Sequence, residues 1–297
     1  MLDNSPGAVT SGGNARAAGI FFVALSAVSF AFLPIFVKYA YAEGLSTLTM
    51  LALRFTLASL ALCLIMRLRH EPWPKRRQLP ALIAMGAFGY VGQSFCFFAA
   101  LQYATAGLVS LLLYLYPALV IIFGGCFFRE KIRPIQVAAV VAALFGTMLI
   151  IGGGQEGSLP GIGLGFGAAI TYAFYILAGS RVLRSEGALG SATVICLSAA
   201  AVFVVAALLQ RPAWPSGLTG WLTISGIVVI ATVLAMVSFF AGLARLPAAD
   251  AATISTLEPV VTVLLATLLF DEPLGLAKCL GGLIIIAALV VLARQAA

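Results

Sequence analysis

The chain has 297 residues, 62% of them apolar and 9% charged, and a net charge of +7. A soluble domain carries roughly 25% charged residues, so this composition excludes a water-soluble fold and leaves a lipid bilayer as the solvent. The basic residues sit in short gaps between apolar runs, which excludes nucleic acid as the partner that the positive charge would otherwise suggest.

A membrane-spanning helix takes about 20 mostly apolar residues. Ten such stretches follow one another: 18–38, 47–66, 79–101, 107–127, 134–151, 162–180, 191–209, 221–243, 249–270 and 274–292. None alternates apolar and polar residues, so a β-barrel is excluded. The first run ends near Ala40-Tyr41-Ala42, which looks like a signal-peptidase site. It is too long for a signal core, and Lys38 precedes the site, so the first helix is expected to be retained.

Basic residues orient the chain. On the side of the N-terminus lie Arg16, Arg67, Arg69, Lys75, Arg76, Arg77, Arg129, Lys131, Arg133, Arg181, Arg184, Arg245 and Arg294. The opposite side holds only Lys38, Arg211 and Lys278, and Arg54 falls inside the second span. Both termini are therefore expected in the cytoplasm.

The sequence repeats at a spacing of 142 residues. Phe30-Ala31-Phe32 returns as Tyr172-Ala173-Phe174, and Phe97-Phe98-Ala99 returns as Phe239-Phe240-Ala241. Pro117 matches Pro259, and Phe128-x-Glu130 matches Phe270-x-Glu272. The expected division is residues 1–151 and 152–297, with five spans each. Five is odd, so the second copy enters the membrane inverted. The expected fold class is all-α and integral to the membrane, with ten transmembrane helices in two inverted five-helix repeats. This symmetry suits a transporter working by alternating access.

Pro117 and Pro259 are candidate kinks or gates, since each removes a backbone hydrogen bond. Pro34 has no partner, because position 176 is Ile. The glycines of 161–167 and the pair Gly281-Gly282 lack the strand-turn-helix setting of a phosphate loop, so they read as close helix packing. Cys63, Cys96, Cys126, Cys196 and Cys279 form no metal-binding spacing, and the single histidine, His70, lies in a basic loop. No catalytic motif, metal site or cofactor is expected, and the chain is not read as an enzyme.

Ionisable groups inside spans are costly and are usually functional or paired. Arg54 either pairs with a substrate carboxylate or snorkels and binds helix-end carbonyls. Glu258 either serves substrate and proton or pairs helices beside Pro259. Asp250 is expected to cap the ninth span, and Lys38 and Lys278 to snorkel. Polar and aromatic stripes recur at helical spacing: Ser26, Ser29, Phe30 and Leu33; Tyr90, Gln93, Ser94 and Phe97; Ser110, Tyr114 and Pro117; Thr171, Tyr172 and Tyr175; Thr232, Met236 and Phe239. Singly, each residue is also explained by helix packing. Together they point to an inward cavity for an amphipathic solute. The expected substrate-binding set is Ser29, Phe30, Tyr90, Gln93, Ser94, Phe97, Tyr114, Tyr172, Tyr175, Phe239 and Glu258. The halves cease to be twins at Tyr116 against Glu258, Leu33 against Tyr175 and Arg54 against Cys196, where substrate choice is expected to reside.

Leu257-Glu258-Pro259-Val260-Val261 followed by Phe270-x-Glu272 resembles the EamA-type branch of the drug/metabolite transporter superfamily. Tyr116-Pro117-Ala118-Leu119 with Phe128-x-Glu130-x-x-x-Pro134 resembles its first-half counterpart, and Arg54 in the second span fits as well. The resemblance covers nearly the whole chain and extends to the YddG-type exporters of aromatic amino acids. It implies export of small metabolites, amino acids including aromatic ones, by a monomer in the lipid bilayer. Other neutral or cationic metabolites, or a channel, are the alternatives. The small multidrug pumps of the superfamily carry an acid in their first span. This chain has none there or in the sixth, which argues against cation/proton antiport.

Overall fold

The computed structural model describes residues 10–128, 133–152, 157–182, 188–210, 213–246 and 248–295. Among them ten helices are long and apolar enough to cross a membrane. Spans 1 to 5 are Ala15–Ala42, Thr47–Leu68, Leu79–Ala100, Ala106–Phe127 and Pro134–Ile151; spans 6 to 10 are Leu159–Gly179, Ala188–Leu209, Leu218–Leu243, Asp250–Phe270 and Leu276–Arg294. A bilayer offers backbone N–H and C=O groups no partner, so apolar runs of this length must close their hydrogen bonds within a helix. Among the described residues the one β feature is an isolated bridge between Ala104 and Gly157.

Ten crossings return the chain to the face on which it began, called here the near face; the other is the far face. Spans 2 and 7, which are repeat mates, pack along each other, and so do mates 5 and 10. Span 1 packs on span 8, and correspondingly span 6 packs on span 3. Span 1 also meets span 9, as span 6 meets span 4. Each of these contacts maps onto another when the halves are exchanged, as two inverted repeats require. Mates 5 and 10 cross at glycines: a Cβ on Gly146 would stand 2.7 Å from the Gly281 carbonyl oxygen, and one on Gly281 would meet the Gly146 carbonyl. In span 6, Gly161 and Gly165 admit Tyr103 and Leu112, whereas Gly163 faces open space.

Departures from regular helix also come in matched pairs. Spans 3 and 8 widen into π-helix at Met85–Tyr90 and Gly226–Leu234, a geometry that frequently marks functional sites. Span 4 breaks between Leu113 and Tyr116, and span 9 between Ser255 and Leu257, each just ahead of its proline. The helix around Pro34 instead runs unbroken over Thr10–Ala42. The Phe128-x-Glu130 motif ends outside the described residues, as do Arg129, Lys131, Arg184 and Arg211.

Gly281→Leu should destabilise the protein by about 1–3 kcal/mol, because a side chain there must push two backbones apart. Thermal unfolding in detergent measures this, and an unshifted midpoint would show that spans 5 and 10 can separate freely.

Candidate functional site

Two chambers meet at the centre of the bundle. The larger, about 390 Å³, reaches the near face through Ala188 at the start of span 7 and Leu243 at the end of span 8. The smaller, about 110 Å³, lies toward the far face and is lined by Leu33, Arg54, Gln93, Phe97 and Leu113. Six residues line both: Phe30, Tyr90, Tyr114, Tyr116, Tyr172 and Glu258. They form a collar between the chambers.

The collar is aromatic because its rings hold one another. Tyr90 stacks on Tyr175 at 5.6 Å, and Tyr175 on Tyr172 at 5.8 Å. Tyr172 meets Tyr116 edge to face at 4.6 Å, and Tyr116 lies 6.0 Å from Tyr114. Phe55 joins the row behind Tyr90 and stacks on Phe203 of span 7. These offset and edge geometries are the favourable ones for rings, and they tie spans 2, 3, 4, 6 and 7 together around the centre.

Tyr114 links the two helix breaks. Its hydroxyl stands 2.8 Å from Glu258 Oε2 and 3.0 Å from the Ser255 carbonyl. That carbonyl is four residues before Pro259, which has no N–H to give it. Tyr114 of the first half therefore supplies the hydrogen bond that the proline of the second half removes. One hydroxyl proton serves one acceptor at a time. A protonated Glu258 would donate to the Tyr114 oxygen and leave that proton for Ser255, whereas an ionised Glu258 competes for it.

Arg54 neither snorkels nor binds a helix-end carbonyl. It is 3% exposed, its Nε donates to Thr232 Oγ1 at 3.0 Å, and it lies 5.1 and 5.4 Å from the ring centres of Phe55 and Phe98. Thr232 in turn donates to the Ile227 carbonyl, five residues back in the π-helical stretch of span 8. The wider turn thus places the hydroxyl that holds the guanidinium.

The far face is shut below the smaller chamber. Glu272, after span 9, accepts the N–H of Ala106 at 2.7 Å and of Gly107 at 3.2 Å, at the start of span 4. Lys278 Nζ lies 3.3 Å from the same carboxylate, and both side chains are buried, at 4% and 7% exposure. A negative charge at a helix N-terminus is favourable, and here it joins one half to the other. Lys38 donates to the Ala104 carbonyl at 2.8 Å. Snorkelling is therefore wrong for Lys278, which is buried on Glu272, whereas Lys38 is half-buried near the far face and also has a protein acceptor. Asp250 stands in the first turn of its helix, where a negative charge is favourable, and receives Arg16 at 3.2 Å in an exposed pair on the near face.

Of the expected binding residues, Phe30, Tyr90, Tyr114, Tyr172 and Glu258 stand in the collar. Gln93 and Phe97 line the smaller chamber, and Tyr175 and Phe239 the larger. Ser29 and Ser94 line neither. Ser94 is buried behind the wall and donates to Gln93 Oε1 at 3.0 Å, so its role is to orient that amide. Pro117 and Pro259 sit behind the breaks and do not line the chambers. The sequence reading missed the wall given by span 7, Ser191, Ala192 and Ile195. Small residues in a continuous apolar run carry no polar period to find them by. Ser191 has a buried hydroxyl without a partner among the described residues, facing the larger chamber.

The EamA-like transporter family matches residues 17–152 and 159–294. The chain belongs to that family. It is 28% identical over 280 residues to the uncharacterized transporter YcbK of Bacillus subtilis, covering 89% of each chain. It is 27% identical over 231 residues to the aromatic amino acid exporter YddG of Ancylobacter novellus, covering 75% of each. The uncharacterized inner membrane transporter YedA of Escherichia coli K12 is 27% identical over 256 residues, 84% of this chain and 82% of that one. A crystal structure of a protein 22% identical in sequence has the same fold, with a TM-score of 0.67 over 95% of this chain and 99% of the other. The EamA-like family has two repeated halves, and the two matched segments here are the two inverted repeats.

Glu272→Gln removes the charge that Lys278 and the start of span 4 share. It should weaken closure of the far face by about 3 kcal/mol, read as faster hydrogen exchange of the Ala106 and Gly107 amides. Exchange as slow as in the native protein would mean that other contacts keep this face shut.

Proposed function

We propose that this EamA-family transporter exports small amphipathic metabolites, amino acids including aromatic ones, from the cytoplasm across the inner membrane by alternating access. The observation that carries this reading is the central site itself: a tyrosine collar with one carboxylate, reached from the near face and shut from the far face by Glu272 and Lys278. Aromatic walls with a few hydroxyls suit a solute with an apolar body and a polar head. The excess of Arg and Lys on the near face makes that face cytoplasmic. A solute then enters from the cytoplasm in the conformation described. Kinship with an aromatic amino acid exporter supports the substrate class. The inner membrane follows from the ten spans and the kinship with YedA. The two chambers lie within one chain, so the protein is read as a monomer working without a cofactor.

Purified protein in liposomes, loaded with a panel of amino acids and amines, tests the proposal. Saturable counterflow of aromatic amino acids is expected; flux that never saturates and shows no exchange would make the protein a channel. Gln93→Ala and Tyr175→Ala should each lower the initial rate about tenfold, since each lines a chamber wall; thermal stability should change little in the first and fall in the second, because Tyr175 also stacks on Tyr90 and Tyr172. Native rates in both would remove these walls from the site. Glu258→Gln should still fold, because its amide can donate to Tyr114 and leave the phenol for Ser255. Its half-saturation concentration for amino acids should rise about tenfold through loss of the counter-charge, and an unaltered value would take Glu258 out of substrate binding.

A further inference from the structure

Arg54 is a buried cation with too few partners. A guanidinium carries five N–H donors and stays charged in a protein. Its Nε is bonded to Thr232, and the rings of Phe55 and Phe98 lie near the guanidinium carbon. No carboxylate among the described residues pairs with it. Its Nη1 and Nη2 groups have no protein acceptor among the described residues, yet the side chain lines the smaller chamber. A charge at this depth is expensive unless an anion or a set of acceptors meets it. The partner left to supply that anion is the solute.

We propose that Arg54 is the specificity-determining residue that binds the carboxylate of the transported solute through Nη1 and Nη2. This deepens the proposed function and rests on it. The planar fork of Arg matches a carboxylate in two parallel hydrogen bonds. Thr232 and the two rings fix the fork's direction before the solute arrives. Glu258 lines the same chamber from span 9. When Glu258 is ionised, the two residues bring one positive and one negative charge to the chamber, and a zwitterion leaves neither without a counter-charge. An amine lacking a carboxylate leaves Arg54 unmet. An acid lacking an amine leaves Glu258 unmet. The tyrosine rings of the collar take the apolar body that hangs from the same carbon as the carboxylate and the amine.

The test is competition against labelled phenylalanine counterflow in liposomes, using phenylalaninamide, phenethylamine and 3-phenylpropionate as unlabelled solutes. With native protein, unlabelled phenylalanine should compete about tenfold to a hundredfold better than the amide or the amine. With Arg54→Gln that preference should collapse toward unity, while the dependence on the aromatic ring persists. Arg54→Lys keeps the charge without the fork and should raise the half-saturation concentration more than it lowers the maximal rate. Equal competition by phenylalanine and its amide in the native protein overturns the proposal even if the variants fail to fold. A folded Arg54→Gln that keeps the preference overturns it too. Native protein that carries no amino acid at all defeats the parent reading, and Arg54 as a carboxylate site falls with it. Native counterflow without preference for the acid defeats the Arg54 proposal alone.

Discussion

The closed far face depends on one carboxylate. Glu272 belongs to the second half, yet the two amides it accepts belong to span 4 of the first. Those N–H groups at a helix start have no partner in their own helix, and in a membrane they must find one within the protein. Lys278 completes the arrangement by matching the charge. This contact holds the start of span 4 against the end of span 9, the two helices whose breaks frame the collar. The larger chamber reaches the near face because the halves are fastened together at the far one.

The repeat and the spans were legible in the sequence because bilayer physics writes them in large letters: long apolar runs, basic gaps and residues returning at one spacing. The matched prolines marked spans 4 and 9 as candidates for a kink or gate, and each of these helices is interrupted just ahead of its proline. Side-chain pairing was harder to read. Lys278 looks like a snorkelling residue, because hydropathy sees only that it lies near the end of a span. What decides its fate is Glu272, turned toward it and toward span 4, a tertiary fact with no local signature. Arg54 is the same case: its partner Thr232 is 178 residues away. Helical stripes found Tyr90, Gln93 and Phe97 because they share a face. The same rule admitted Ser94, which lies one residue round from Gln93 and points behind the wall.

Symmetry breaking is concentrated at the centre. Tyr116 and Glu258 hold equivalent places in the two halves, and both stand in the collar. Leu33 and Tyr175 are mates on opposite chambers. Arg54 lines the smaller chamber, whereas its mate Cys196 is buried in span 7, which packs along span 2. Helix-to-helix contacts keep the two-fold pattern because the scaffold must serve both orientations. A solute with distinct ends has no such symmetry. A site that would grip a charged α-carbon group at one end and an aromatic ring at the other has to differ between the halves.

Tyr114 shows how the site and the moving parts share atoms. Its hydroxyl meets both the carbonyl that Pro259 leaves free and the Glu258 carboxylate, which is proposed to meet the solute. An ammonium group drawn to Glu258 takes up acceptor capacity on that carboxylate, and Tyr114 then turns its proton to Ser255 instead. Under the proposed binding mode, occupancy of the site would act directly on the hydrogen bond at the break in span 9, without any intervening chain of contacts. The same hydroxyl comes from the break in span 4. A solute that changed this bond would bias the pair of broken helices that Glu272 fastens together at the far face, and would so link binding at the centre to the closure there.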